Sequence, residues 1–154
     1  MTTVKVEGMM ELEKALKQLS ESAGKGVLRR GLKKAATPMK DLMHTLAPRG
    51  DSSSDDLADS ITIGTKLSKR QAGLHRKMFK DDRAAIEMFV GPGPDPAGVN
   101  QEFGNVNHGP QPFVRPAWDA EAKPTLDRLG KELWTELEKS VKRANAKAAR
   151  QAKG

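Results

Sequence analysis

With 154 residues, 36% of them hydrophobic and 31% charged, the chain is long enough for one domain with a modest core. Cysteine is absent, which excludes a disulfide scaffold, a thiolate metal site and a cysteine nucleophile, and suits assembly in a reducing cytosol. The net charge is +7, yet residues 142–154 hold five basic residues and no acid, leaving 22 basic (27 less those five) against 20 acidic elsewhere.

No run of about 18 apolar residues is present, so no membrane-crossing helix and no membrane partner are expected. Residues 1–7 lack the apolar stretch of a secretion signal. Val4-Lys5-Val6 alternates like a short strand, and Gly8 ends it. Leu12, Leu16 and Leu19 then recur at helical spacing, which predicts a three-turn helix closing near Gly24. A second helix is predicted from about Val27 to Leu46, with Leu28, Leu32, Ala35, Met39, Leu42 and Leu46 as its apolar seam. Pro38 deletes one backbone hydrogen bond there and is expected to bend it. Ala47-Pro48-Arg49-Gly50 stops it.

Asp51 to Asp56 is a polar loop, and Ser53 or Ser54 can cap a single turn through Leu57. Ile61 and Ile63 alternate with Thr62 and Gly64, predicting a strand over 60–66. Ala85 to Val90 predicts a second, halted by Gly91-Pro92-Gly93-Pro94-Asp95-Pro96. Between them lie Lys66, Lys69, Arg70, Arg76, Lys77, Lys80 and Arg83, expected as a long charged loop or protruding hairpin over about 66–83. Ala97 to Phe103 reads as a short helix ending at Gly104.

The most informative stretch is Glu102-Phe103-Gly104 followed by Gln111-Pro112-Phe113-Val114-Arg115-Pro116-Ala117. Pro112 and Pro116 fix their own φ and push the preceding residue towards extended geometry, so 111–115 is predicted straight and stiff. Phe113 and Val114 then point to opposite sides, and Pro116 suits the first position of a helix. That helix carries Trp118, Ala122, Leu126, Leu129, Leu133, Leu137 and Val141, and the basic segment follows it.

Candidate chemistry is sparse. His44, His75 and His108 have no partner at metal-binding spacing, and the aspartates at 51–59 lack the glycine and glutamate of a calcium loop. Gly91-Pro92-Gly93-Pro94 cannot cradle phosphate, because its prolines lack N–H groups. Glu102 is the best lone candidate for a catalytic acid, but it has no partner carboxylate and reads better as a structural hydrogen-bonding group. No cofactor and no enzymatic activity are expected.

Together these residues match a known pattern: a two-helix N-terminal region, Ala47-Pro48, Leu57-Ala58-Asp59-Ser60-Ile61, Val90-Gly91-Pro92, Glu102-Phe103-Gly104 and the Gln111–Ala117 motif. The chain resembles, over roughly residues 8–140, the neck or tail-completion proteins of long-tailed bacteriophages, a family of head–tail connector and tail-component proteins. Ser54-Asp55 stands where that family usually has Thr-Gly, and Pro96-Ala97 where it has Tyr-Ala. The resemblance implies an α+β fold, a small, mainly antiparallel sheet packed with two N-terminal helices and a long C-terminal helix. A single domain over 1–141 is expected, followed by the basic tail over 142–154, which, like the charged segment at 66–83, is not a signature of that family. The resemblance further implies a virion protein, assembled in the bacterial cytoplasm into a ring, a hexamer, that completes the tail and joins it to the head. Its partners would be other copies of itself, a head-side connector, adaptor or stopper, and a tail terminator or tail-tube protein.

On this reading Glu102, Phe103, Gly104, Pro112, Phe113, Arg115, Pro116 and Trp118 are interface or structural residues. Lys69, Arg70, Arg76, Lys77, Lys142, Arg143, Lys147 and Arg150 are candidate contacts with passing genomic DNA or a partner. A tail terminator that caps tube growth is the rival role of the same class. A sequence-blind nucleic-acid-binding module is the rival of another class.

Overall fold

The computed structural model describes residues 9–50, 56–80, 84, 86–94 and 96–153. Six helices and two strands follow in the order α1 (Met9–Lys17), α2 (Glu21–Leu46), α3 (Asp56–Asp59), β1 (Thr62–Gly64), α4 (Lys69–Met78), β2 (Phe89–Gly91), α5 (Pro96–Phe103) and α6 (Val114–Gln151). The fold is α+β, as the resemblance implies. Its sheet is one antiparallel pair, with Thr62 opposite Gly91, Ile63 opposite Val90 and Gly64 opposite Phe89. Both strands are shorter than the alternation predicts. The expected strand at Val4–Val6, the Ser53 or Ser54 cap and Arg83 lie outside the described residues.

The chain gathers into two compact units, one of Met1–Ala35 with Leu126–Gly154, the other of Ala36–Thr125. In the first, α1 ends at Lys17, earlier than expected, because Ser20 opens α2 instead. Its hydroxyl accepts from the N–H of Ala23, and its carbonyl takes the N–H of Gly24 at 2.9 Å. Gly24 therefore lies inside a helix rather than closing one. The core of this unit is Leu12, Val27, Leu133 and Leu137, flanked by Leu16, Leu19, Leu28 and Leu129. A Cβ on Gly31 would fall 2.6 Å from Leu133 Cδ2 and 3.4 Å from Leu133 Cα, so α2 and α6 approach closely there. The pairing is antiparallel: Ala35 accepts from Arg128 through its carbonyl, while Arg30 and Lys34 reach Glu136.

In the second unit Met39 and Met43 from α2, with Ala47 just after it, meet Ala58, Ile61, Phe113 and Ala117. The buried row on α2 is thus Val27, Gly31 and Ala35 in one unit and Met39 and Met43 in the other, a strict i+4 repeat that Ala47 continues just past the helix. The predicted seam shares Ala35 and Met39 with this row, and its four leucines lie beside it. Leu28, Leu32 and Leu42 are only partly buried, and Leu46 is exposed. In the first unit the reason is size: Gly31 and Ala35 occupy the line facing α6, and Leu28 and Leu32 flank it. Ser60 joins the pieces of this unit, donating to the Leu57 carbonyl at 2.7 Å and accepting from the Gly93 N–H at 3.3 Å. Gly98 packs on Pro92, where a Cβ would come within 2.9 Å of the ring.

Two expectations need correction. Residues 69–78 form a helix, not a loop or hairpin. Ser68 caps it, accepting from the N–H of Gln71, whose side chain returns the bond to the Ser68 N–H at 3.0 Å. The other concerns Pro116. α6 starts at Val114, so Pro116 is its third residue and 111–115 is not a straight rod. Phe113 and Val114 consequently pack on the same core instead of facing opposite ways.

Candidate functional site

Glu102 and the first turn of α6 form a polar site in the second unit, joined by five hydrogen bonds. α5 delivers the Glu102 side chain, which is buried, to the end of α6. Its carboxylate accepts from the N–H groups of Phe113 at 2.8 Å, Val114 at 2.9 Å and Arg115 at 3.1 Å. These are the cap and first two residues of the helix, whose donors have no intrahelical acceptor. The next residue is Pro116, which has no N–H. One carboxylate and one proline therefore account for every unpaired donor of that turn. The helix dipole adds to the preference for negative charge there.

Arg115 closes the arrangement. Its Nε donates to Glu102 Oε1 at 2.7 Å and its Nη2 to the Glu102 carbonyl at 2.8 Å. The guanidinium lies over the Phe103 ring, 4.8 Å from its centre. Burial works against charge on Glu102, but Arg115 and the three backbone donors outweigh it, and its carboxyl titrates below the ordinary value. It is an ionised cap with both oxygens engaged and holds no proton to donate. This is the structural hydrogen-bonding role that the sequence favoured over acid catalysis.

Gly104 ends α5 at φ +77°, and a Cβ there would meet the backbone of 108–110 at 2.9–3.1 Å. Only glycine fits both the left-handed conformation and the space. The turn that follows is held by Asn105, whose side-chain oxygen accepts from the N–H groups of Asn107 and His108. The chain then returns to α5, where the Gln111 N–H donates to the Gln101 carbonyl at 2.7 Å. Phe113 is fully buried beside this junction.

Several apolar side chains of these elements are exposed. Val99 and Phe103, one turn apart on α5, are 61% and 63% exposed, Val106 is fully exposed, and Trp118, one turn after Arg115, is 59% exposed. Trp118 thus leaves the α6 seam, and Ala117 takes its place in the core.

The structure distributes the basic candidates over two helices. Lys69, Arg70, Arg76 and Lys77 lie on α4, all exposed, and α4 buries no residue. His75 meets the Phe79 and Phe89 rings at 4.8 and 5.2 Å. Lys142, Arg143, Lys147 and Arg150 belong to the last turns of α6, where every described residue from Val141 onwards is exposed.

Sequence reasoning missed Glu136. It is buried in the first unit, 2.6 Å from both Arg30 Nε and Lys34 Nζ, with Lys139 Nζ at 3.6 Å. Lys34 and then Arg30 hold its carboxyl at about 2 against the opposing effect of burial. Nothing in the local sequence separates it from the exposed acids of α6. The Ser68–Gln71 capping pair, in contrast, leaves a local signal, a serine three residues before a glutamine.

Among the described residues no cluster of acids and histidines could hold a metal ion, and no helix is long and apolar enough to cross a membrane. The sequence profile of the family described as "Bacteriophage HK97-gp10, putative tail-component" matches residues 10–104, more than half of the chain. The chain belongs to this family of phage tail components. The match includes Glu102-Phe103-Gly104 but stops before Phe113 and Arg115, the residues that Glu102 caps and pairs with. No curated protein and no solved structure matches the chain. As a member of the HK97-gp10-like family, the protein is a structural component of a phage virion.

Proposed function

We propose that this tail component forms a closed ring, a hexamer, at the head-proximal end of the tail, where it completes the tail and joins it to the head. The observation that supports this most is the apolar flank fixed by the Glu102 lock. Exposed apolar clusters of this kind are normally covered by a partner. Here Phe103 is clamped under Arg115, and Arg115 is clamped by Glu102, so the flank has one fixed shape to present. A cyclic ring needs two different complementary patches on each subunit. Leu74 and Met78, exposed on α4, supply a second apolar patch. The head-side connector or stopper and the tail terminator or tube would then cover the two faces of the ring.

The test is electron microscopy of particles assembled without this protein. Full heads and finished tails of normal length, accumulating unjoined, are the expected result. Overlong tail tubes would assign the chain to tail termination instead. Normal particles would remove it from assembly altogether.

A further inference from the structure

We infer that one face of α4 is a docking surface for the phosphate backbone of duplex DNA. On a helical wheel Lys69, Arg70, Arg76 and Lys77 fall within an arc of about 120°, at 100° per residue. They form two rows, Lys69 with Arg76 and Arg70 with Lys77, along an axial length of about 12 Å. The other side of the helix carries Gln71, Ala72 and His75, which are partly covered within their own unit, while the four cations are exposed. None of the four forms an ion pair among the described residues, and α4 contains no acidic residue. Self-repulsion of this kind is unfavourable in the free chain, and it is relieved by a polyanion.

Gly73 sits at the centre of the four cations, both along the axis and around it. Glycine weakens a helix interior relative to alanine. Among the helical glycines, Gly31 faces Leu133 and Gly98 faces Pro92 at close range, whereas outside the helices Gly91 and Gly109 have open space as Gly73 does. A Cβ on Gly73 would meet nothing within 4 Å. Its bareness serves no internal packing, and it leaves the helix surface open to close approach from outside. A sugar–phosphate strand laid across Gly73 would have two cations on each side. No aromatic side chain lies on this arc, so stacking on single-stranded bases is not the mode. The contacts are to phosphate and therefore blind to sequence.

That this DNA is the genome passing through the neck rests on the proposed function; the binding itself does not. The experiment uses the purified full chain and a short duplex of random sequence, with fluorescence anisotropy across a series of salt concentrations. Replacing Lys69, Arg70, Arg76 and Lys77 by Gln should lower the salt slope by about three to four, close to one for each phosphate that is no longer neutralised. Gly73→Glu should weaken binding more than tenfold with an unchanged circular dichroism spectrum, because its side chain has open space. A parallel variant with Lys142, Arg143, Lys147 and Arg150 replaced by Gln should retain the α4 contribution. Three results would overturn the inference: wild-type affinity and slope in the α4 variant, complete loss of binding in the α6 variant alone, or binding of wild type to polyglutamate but not to DNA. The last would assign the face to an acidic protein surface. Whatever the outcome, head–tail joining is read separately, so failure here leaves the neck role standing and the converse also holds.

Discussion

Arg115 grips Glu102 twice, through the carboxylate at 2.7 Å and the main-chain carbonyl at 2.8 Å, while that same carboxylate caps the helix on which Arg115 sits. Two residues 13 positions apart are thereby locked, and neither can move alone. The guanidinium is also stacked on Phe103, so the lock reaches the outer surface.

Replacing Glu102 by Gln tests the lock with little change of shape. The amide offers one acceptor oxygen, and its NH2 would face N–H donors that it cannot satisfy. We expect a loss of about 2–4 kcal/mol in stability, in the range for breaking a buried charge-assisted network. Arg115→Ala should cost less, since the backbone donors keep their acceptor and the guanidinium is half exposed. Denaturant unfolding of both variants decides this, and equal losses would mean that the capping bonds add nothing beyond the ion pair.

Phe113 contributes through volume. It is fully buried among Met39, Met43, Ile61 and Ala117. Phe113→Ala should destabilise the protein by about 3–5 kcal/mol and abolish soluble assembly. Normal melting and assembly of that variant would reduce the motif to a linker.

The helices and the motif were legible because their signals are local. Apolar periodicity located α1, α2 and α6, and Gly104 marked the end of α5. Legibility failed where the answer depends on a neighbour. Leucines at 28 and 32 are more apolar than Gly31 and Ala35, which are buried, but a helix meeting another at close range turns its small residues inward. The number of cations over 66–83 suggested a loop, and it hid a helix because all but one edge of the helix faces solvent. The destination of Glu102 could not be read from its own surroundings, since its partners lie a turn and several residues further on. The proline at 116 gave half of that answer. It marks a helix start, but any of the first positions tolerates a missing N–H.

Acid should unfold the protein through its paired carboxylates. Glu136 sits at about 2 in the fold against an ordinary value of 4.5, and Glu102 is lowered as well. A carboxylate with a lowered folded value contributes stability in full above the ordinary value and loses it as the pH falls through the folded one. The melting temperature should therefore fall steadily below about pH 4.5, with the Glu136 contribution exhausted near pH 2. In Glu136→Gln the protein should be less stable at neutral pH, because Arg30 and Lys34 lose their acceptor, and its acid limb should be flatter. A variant that parallels wild type over the whole acid range would place the transition in other carboxylates.

Gly31 should be intolerant of alanine even though alanine is the better helix former by about 1 kcal/mol. Its Cβ would lie 2.6 Å from Leu133 Cδ2, so either α6 moves away or Leu133 leaves its rotamer. A net loss of about 1–3 kcal/mol is expected, as for other overpacked sites. Combining Gly31→Ala with Leu133→Ala should recover part of it. An additive double variant would show that the contact does not set the separation of the helices.

The apolar flank should behave in the opposite way, with little effect on stability and a large effect on assembly. Trp118 is 59% exposed and Val106 fully exposed, so Trp118→Ser and Val106→Ser remove little buried surface. Exposed substitutions of this kind usually stay within about 0.5 kcal/mol. If the flank is covered by the neighbouring subunit, each variant should fold and melt like wild type, match its oligomeric state in free solution, and fail to restore head–tail joining in particles lacking the natural protein. Thermal melting and a joining assay on the same preparation separate the two effects. Joining at the wild-type level with both variants would leave the Glu102 lock as a device of the fold, and the subunit contact would have to be sought on α4.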